Sequence, residues 1–314
     1  MPFWRAPLRV TDLNRILVIR GGAIGDFVLT LPAIKLLRDH FPGTHLEILG
    51  SKHIAALAEK RFYADAIRSL DSMSLARSFA RNSEPPSELA DYFARFDLIL
   101  SYLFDSDKIF ETNVRQCAAT FLAGPSRLDD SEHATCQLAR PLQSIGLSLG
   151  DPSARLFPND EDRIAVRHFH ECGAQAAVAL HPGSGSETKN WPIENWIKLG
   201  DVLLGKGRRL IIIAGEADAE RSRKLRDAWK GKPVEFADTL PLPHLAALLE
   251  RMLFIGHDSG ISHIAAAAGA RCLLLFGWTD PAIWAPTNQN VTVLRAPEGK
   301  MERLEIATVL SKIS

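Results

Sequence analysis

The sequence is short of several things, and each shortage excludes a class of protein. Its 314 residues hold only four cysteines, Cys117, Cys136, Cys172 and Cys272, with no CxxC or comparable spacing. That argues against a zinc ribbon or a disulfide framework and reads as reduced, buried thiols. Charge of either sign is not in excess, because 37 basic residues meet 37 acidic ones. A cut after Phe157 leaves 18 of each sign before it and 19 of each after it. Neither half has the cationic surplus that neutralises nucleic-acid phosphates, so no nucleic-acid partner is expected. No apolar run reaches the roughly 18 residues of a membrane span. The nearest, Ile261 to Trp278, is broken by Ser262, His263, Gly269, Arg271 and Gly277. The first twenty residues carry Arg5, Arg9, Asp12, Arg15 and Arg20 and no apolar stretch of export-signal length, so a cytoplasmic location is expected. Neither GxGxxG nor GxxxxGK[ST] can be placed on the chain. The missing dinucleotide fingerprint argues against a nicotinamide-dependent dehydrogenase, as does Gly50 where an acidic residue would end the second strand.

What is present is the composition of a folded protein, 46% hydrophobic and 24% charged. Its length suggests two domains. Arg15 to Arg20 is a β-branched run closed by Gly21 and Gly22, hence a buried strand. From Ile24 to Phe41 the apolar residues Phe27, Leu31, Ile34 and Leu37 recur at helical spacing, with Pro32 inside the pattern. Short strands are expected at 46–49, 66–70 and 96–100, and helices at 114–122 and 132–145. The stretch from Gly146 to Asp162, rich in Gly, Pro, Ser and Asp, reads as a linker. A second alternation follows, with strands at 176–180, 209–213, 252–255 and 272–276. Helices lie between them, and an amphipathic segment closes the chain from Met301 to Ile313. Strands alternating with helices mean parallel sheets covered on both faces. Two such runs predict an α/β protein of two Rossmann-like domains, with ligands at the carboxyl ends of the strands.

Four turns after strands carry polar chemistry. The first, Arg20-Gly-Gly-Ala-Ile-Gly25-Asp26, lets backbone approach a ligand and places a carboxylate in the first turn of a helix. Asp26 reads either as a helix cap or as a general base held at a strand end. The second, His181-Pro-Gly-Ser184-Gly185-Ser186-Glu-Thr-Lys189-Asn-Trp191-Pro192, offers N–H groups, hydroxyls and a cation suited to a diphosphate. The third, Gly256-His-Asp258-Ser259-Gly260-Ile-Ser262-His263, has two candidate caps in Asp258 and Ser259 and two histidines. No acidic or thiolate cluster joins His257 and His263, so no metal site is expected. The fourth, Phe276-Gly-Trp278-Thr279-Asp280-Pro281 with Trp284-Ala-Pro286, is an aromatic loop at the end of a strand.

Taken in order, these segments resemble glycosyltransferase family 9, the ADP-heptose heptosyltransferases of lipopolysaccharide synthesis. The pattern runs from Gly25-Asp26 with Leu31-Pro32, through His181-Pro-Gly-Ser and Lys189-x-Trp191-Pro192, to Asp258-Ser-Gly-x-Ser-His263 and Leu275-Phe-Gly-x-Thr-Asp-Pro281. It departs from the commoner pattern at Trp278, often proline, and around Ala23 and Gly185, often hydroxyl residues. The resemblance implies a GT-B fold, two Rossmann-like domains facing across a cleft. Residues 1–155 would bind the acceptor and residues 156–314 the nucleotide sugar, with the last helix, about 300–314, packing back on the first domain. It implies inverting, metal-independent transfer of heptose from ADP-heptose to a hydroxyl of a lipopolysaccharide-core or related acceptor, with no cofactor. Asp26 matches the base and Lys189 the diphosphate-binding lysine. Gly25, Ser184, Gly185, Ser186, Asp258, Ser259, Gly260 and His263 match donor-binding positions, and Glu216 is preferred over Asp218 and Glu220 for the ribose. The acceptor would be lipid-linked or a polysaccharide, with transient contact at the inner membrane surface. Arg20, Lys35, Arg38, Arg115 and Arg127 are candidates to meet an anionic acceptor. Another nucleotide sugar, another acceptor, and a non-catalytic nucleotide-sugar binder on this fold stay open.

Overall fold

The computed structural model describes residues 13–71, 87–118, 120–171, 177–215 and 219–313. The chain divides into two compact units. The first comprises 1–21, 32–128 and 135–150; the second comprises 22–31, 129–134 and 151–314.

The first unit holds strands β1 (Arg15–Arg20), β2 (His45–Gly50), β3 (Ala66–Ser69), β4 (Leu98–Ser101) and β5 (Thr120–Ala123). They form one parallel sheet in the order β3-β2-β1-β4-β5. Helices α1 (Ile24–His40, whose first eight residues belong to the second unit), α2 (Lys52–Ala55), α3 (Ser87–Phe93) and α4 (Ile109–Arg115) run between them, and α5 (Ala134–Ala139) follows β5. The centre of β1 is apolar because both faces of the sheet are covered there: Ile16, Leu17, Val18 and Ile19 are all fully buried. Phe93, Phe110 and Phe121 stack edge to face in the core beneath β1 and β4.

The segment 114–122, expected as one helix, is split. Val114 and Arg115 are the last residues of α4, and Phe121 and Leu122 lie in β5, paired with Ile99 and Leu100. A free sheet edge captured a run too short for its periodicity to settle its type.

The cations suggested for an acceptor have partners within the first unit. Arg38 donates to the carbonyls of Tyr63 and Thr44 and pairs with Asp65. Arg115 pairs with Glu111 and donates to Phe121 O, and Lys35 pairs with Asp39. Arg20 and Arg127 lie over aromatic rings, those of Tyr102 and Phe104.

The second unit opens with α6 (Asp160–Ala165), held by a reciprocal cap between Asn159 and Asp162. It continues through α7 (Arg167–Glu171), β6 (Ala177–His181), α8 (Ile193–Gly205), β7 (Arg209–Ala214), α9 (Ala219–Ala228) and β8 (Val234–Asp238). Then come α10 (Leu242–Leu249), β9 (Leu253–His257), α11 (Gly260–Ala267), β10 (Arg271–Phe276), α12 (Pro281–Trp284), β11 (Val291–Arg295) and α13 (Ile306–Leu310). The six strands are parallel in the order β11-β10-β9-β6-β7-β8. The order reverses between β6 and β9, which is where a doubly wound sheet opens a crevice for ligands. Trp191, Trp196 and Trp229 fill the core on the α8 side. The expected closing helix is a 3-10 turn, Met301–Arg303, followed by the short α13. α13 packs on α8 and buries Val309 in the second unit's core.

Candidate functional site

The crevice at the strand reversal is built from the turns after β6 and β9, the starts of α1 and α11, and α12, all within the second unit. A cavity of about 310 Å³ is lined by Asp26 and Gly25 from the start of α1, and by Gly185, Ser186 and Lys189 from the turn after β6. Asp258 and Ser259 line it from the turn after β9, Gly260 and His263 from the start of α11, and Trp284 from α12.

The start of α1 is shaped by its own carboxylate. Asp26 Oδ2 accepts from the backbone N–H of Ala23 at 3.0 Å, which satisfies one orphan donor of the first turn. Gly22 has φ of +94°, and a Cβ there would stand 2.7 Å from Asp26 Oδ2. Asp26 is therefore a cap and a cavity wall at once, so the two readings of its sequence position are compatible.

The choice between Asp258 and Ser259 as cap of α11 falls to Ser259, whose side chain accepts from Ser262 N. That leaves the Asp258 carboxylate to the cavity. Lys189 Nζ donates to Asp258 Oδ2 at 2.6 Å, and Thr279 Oγ1 donates to the same oxygen at 2.9 Å. Asp258 is 9% exposed and Lys189 24%, so this is a partly buried pair whose members depend on each other. Lys189 ends a 3-10 turn that is fixed from outside, because Glu187 pairs with Arg221 of α9.

His257 locks the turn after β6 to the end of β9. Its Nε2 accepts from Trp191 N–H at 2.8 Å, and Nδ1 faces the carbonyl of Gly183 at 3.3 Å. Trp191 in turn donates from Nε1 to Leu304 O, and its ring meets Trp196 edge to face. Complete burial pushes His257 down to about 3, so it stays a neutral clamp. With both ring nitrogens facing backbone, it has none turned to a metal. Among the described residues no group of three His, Cys, Asp or Glu is placed to hold one. His263, inside α11, is pushed down to about 4 by burial, against the opposing pull of Asp258 and Asp26.

The family model of glycosyltransferase family 9 (heptosyltransferase) matches residues 131–314, more than half of the chain. The protein belongs to that family. It is a glycosyltransferase. Lipopolysaccharide heptosyltransferase 1 of Escherichia coli (strain K12) is 24% identical over 325 aligned positions, covering 96% of this chain and 99% of its own. Among solved structures, a family 9 glycosyl transferase from Veillonella parvula DSM 2008 superposes with a TM-score of 0.77 at 18% identity, covering 96% of both chains. E. coli heptosyltransferase WaaC, solved with ADP, gives 0.72 at 19% identity over 95% of this chain and 98% of its own. The two parallel sheets are those of a GT-B glycosyltransferase.

Of the residues read from the sequence, Gly25, Asp26, Gly185, Ser186, Lys189, Asp258, Ser259, Gly260 and His263 line one cavity. Ser184 stands behind it, donating from Oγ to the carbonyl of Ser186 and shaping the turn. Glu216 and Asp218 lie outside the described residues. Glu220 is exposed on α9 and pairs with Lys224 at 3.2 Å. Trp284, from the aromatic loop read as lining the cleft or as ordinary packing, does line it; sequence reasoning missed the roles of His257 and Thr279. It also missed His133, whose Nε2 meets the carbonyl of Ala285 at 2.8 Å, next to Trp284. None of these has a local sequence signal, because each partner is far along the chain. No described helix is long and apolar enough to cross a membrane.

Proposed function

We propose that this enzyme transfers heptose, with inversion, from ADP-heptose to a hydroxyl of a lipopolysaccharide-core acceptor. The observation that carries the reading is the meeting of Asp26, Lys189 and Asp258 in one cavity between the N-termini of α1 and α11. The names of its relatives point the same way.

The chemistry has two demands. As the acceptor oxygen bonds to the anomeric carbon, its proton must go to a base. As the bond from that carbon to the diphosphate oxygen breaks, charge builds on the leaving ADP. Asp26 takes the proton, its carboxylate aimed by the Ala23 N–H. Lys189 takes the diphosphate, exchanging or sharing its contact with Asp258. The N–H groups at the starts of α1 and α11, with those of the turn from Ser184 to Ser186, face the same growing charge. Fixed donors and one ammonium thus supply the charge stabilisation, which makes the proposed transfer metal-independent. Asp258, Ser259, Gly260 and His263 hold the sugar and its diphosphate, and Glu216 the ribose. In this reading the N-terminal domain binds the acceptor. The enzyme works in the cytoplasm, touching the inner membrane surface where a lipid-linked acceptor is met.

Calorimetric titration with ADP, UDP and GDP, without and then with magnesium, tests the donor. Metal-independent preference for ADP supports the proposal; preference for UDP or GDP removes ADP-heptose as donor.

A further inference from the structure

Trp278 follows β10 and leaves 61% of its surface exposed, an unusual state for the largest apolar side chain. It is nevertheless held still. Its indole N–H donates to Thr188 Oγ1 at 3.3 Å, and that hydroxyl is tied to Ser186 Oγ at 2.9 Å. Its backbone is wedged against the turn at 297–301: a Cβ on Gly299 would stand 3.1 Å from Trp278 Cα, and one on Gly277 3.2 Å from Gly299 O. The ring centroid lies 5.6 Å from Lys189 Nζ. A rigid, exposed aromatic face therefore stands beside the ammonium to which the diphosphate is assigned.

The position of the cavity says which part of a nucleotide sugar comes near this face. Its described lining comes from the turns after β6 and β9, from α12 after β10, and from the start of α1. No described residue of the turns after β7 and β8 lines it. The same loop that carries Trp278 also brings Trp284 into the cavity wall. Trp278, at the end of β10, stands beside Lys189 of that lining and bonds to Thr188 next to it.

We propose that Trp278 is a substrate-contacting residue, a preorganised plate on which the apolar C–H face of a sugar ring stacks. This rests on the donor reading given above. The ring is either the donor's transferred sugar or the acceptor sugar that carries the attacking hydroxyl; both present the same chemistry. An aromatic face fixed before binding loses little freedom on stacking, so its area translates into affinity or specificity.

Calorimetry with ADP and with ADP-heptose on the wild type, Trp278→Ala and Trp278→Phe, together with initial rates against acceptor concentration, separates the cases. ADP affinity should agree within about twofold across the three proteins, since the plate touches sugar and not nucleotide. If the ring is the donor's, ADP-heptose binds about tenfold more weakly to Trp278→Ala, and Trp278→Phe restores most of the loss. If it is the acceptor's, both titrations stay unchanged and the acceptor KM rises about tenfold in Trp278→Ala, again with rescue by Phe. Equal weakening of ADP and ADP-heptose, or no change in any constant, overturns the stacking role alone. A wild type that fails to bind ADP-heptose overturns the donor reading and the stacking with it.

Discussion

Gly260, first residue of α11, meets Ile24, first residue of α1, so closely that a Cβ on Gly260 would stand 2.7 Å from the Ile24 Cβ and 2.9 Å from the Gly25 nitrogen. Two helix N-termini from distant parts of the chain are thereby pressed together at the cavity. Their aligned peptide dipoles point at one place, where they favour an anion and are screened from each other when one is bound.

Gly260→Ala should lower stability by about 1–3 kcal/mol, because the added methyl meets backbone and cannot be relieved by a rotamer. It should also weaken ADP binding by spreading the two helix ends. Gly185→Ala is the control, since a Cβ there meets nothing within 4 Å. Thermal melts of the two variants check this; equal melting points would disprove the close approach.

Asp26→Asn should cut transfer by about 100-fold or more while ADP affinity stays within about twofold. The amide oxygen can still accept from Ala23 N–H, so the start of α1 is kept while the base is lost. A variant with undiminished turnover under single-turnover conditions would remove Asp26 as base.

Lys189→Ala should weaken ADP binding more than tenfold, about 1.4 kcal/mol or more. It should also lower Tm, because Asp258 is left buried without its ammonium partner and keeps the hydrogen bond from Thr279. Adding Asp258→Asn should recover Tm but not affinity. That split distinguishes ligand binding from support of the fold, and recovery of both by the double variant would place the diphosphate elsewhere.

Acid should destabilise the protein above the range in which carboxylates titrate. His257 and His263 are held down to about 3 and about 4 in the fold, from 6.5. Below pH 6.5 the unfolded chain binds protons that the native one refuses. Stability is therefore complete above that value and falls as pH drops towards 4, by about 1.4 kcal/mol per pH unit for each histidine. For His257 the cause is geometric as well, since a proton on Nε2 would face the Trp191 N–H. Tm measured from pH 7 to pH 5 should fall, and His257→Gln should flatten the slope while lowering Tm at pH 7. A flat profile in the wild type would contradict the neutral clamp.

The sequence by itself determined the runs that had to be buried strands, such as Arg15 to Arg20 and Arg209 to Ile213, because only a sheet covered on both faces accepts continuous apolar residues. It also determined which turns carry chemistry, since glycines, hydroxyls, a lysine and carboxylates were clustered within a few positions of each other after those strands. Edge strands were less legible. Val234–Asp238 and Val291–Arg295 are half-exposed and carry mixed side chains, so nothing local marked them. Tertiary structure alone decided that Ser259 caps α11 and Asp258 turns to Lys189, and that His257 clamps Trp191. It alone set Gly260 against Ile24. Each of these depends on which atoms meet across tens or hundreds of residues, and local spacing carries no record of that.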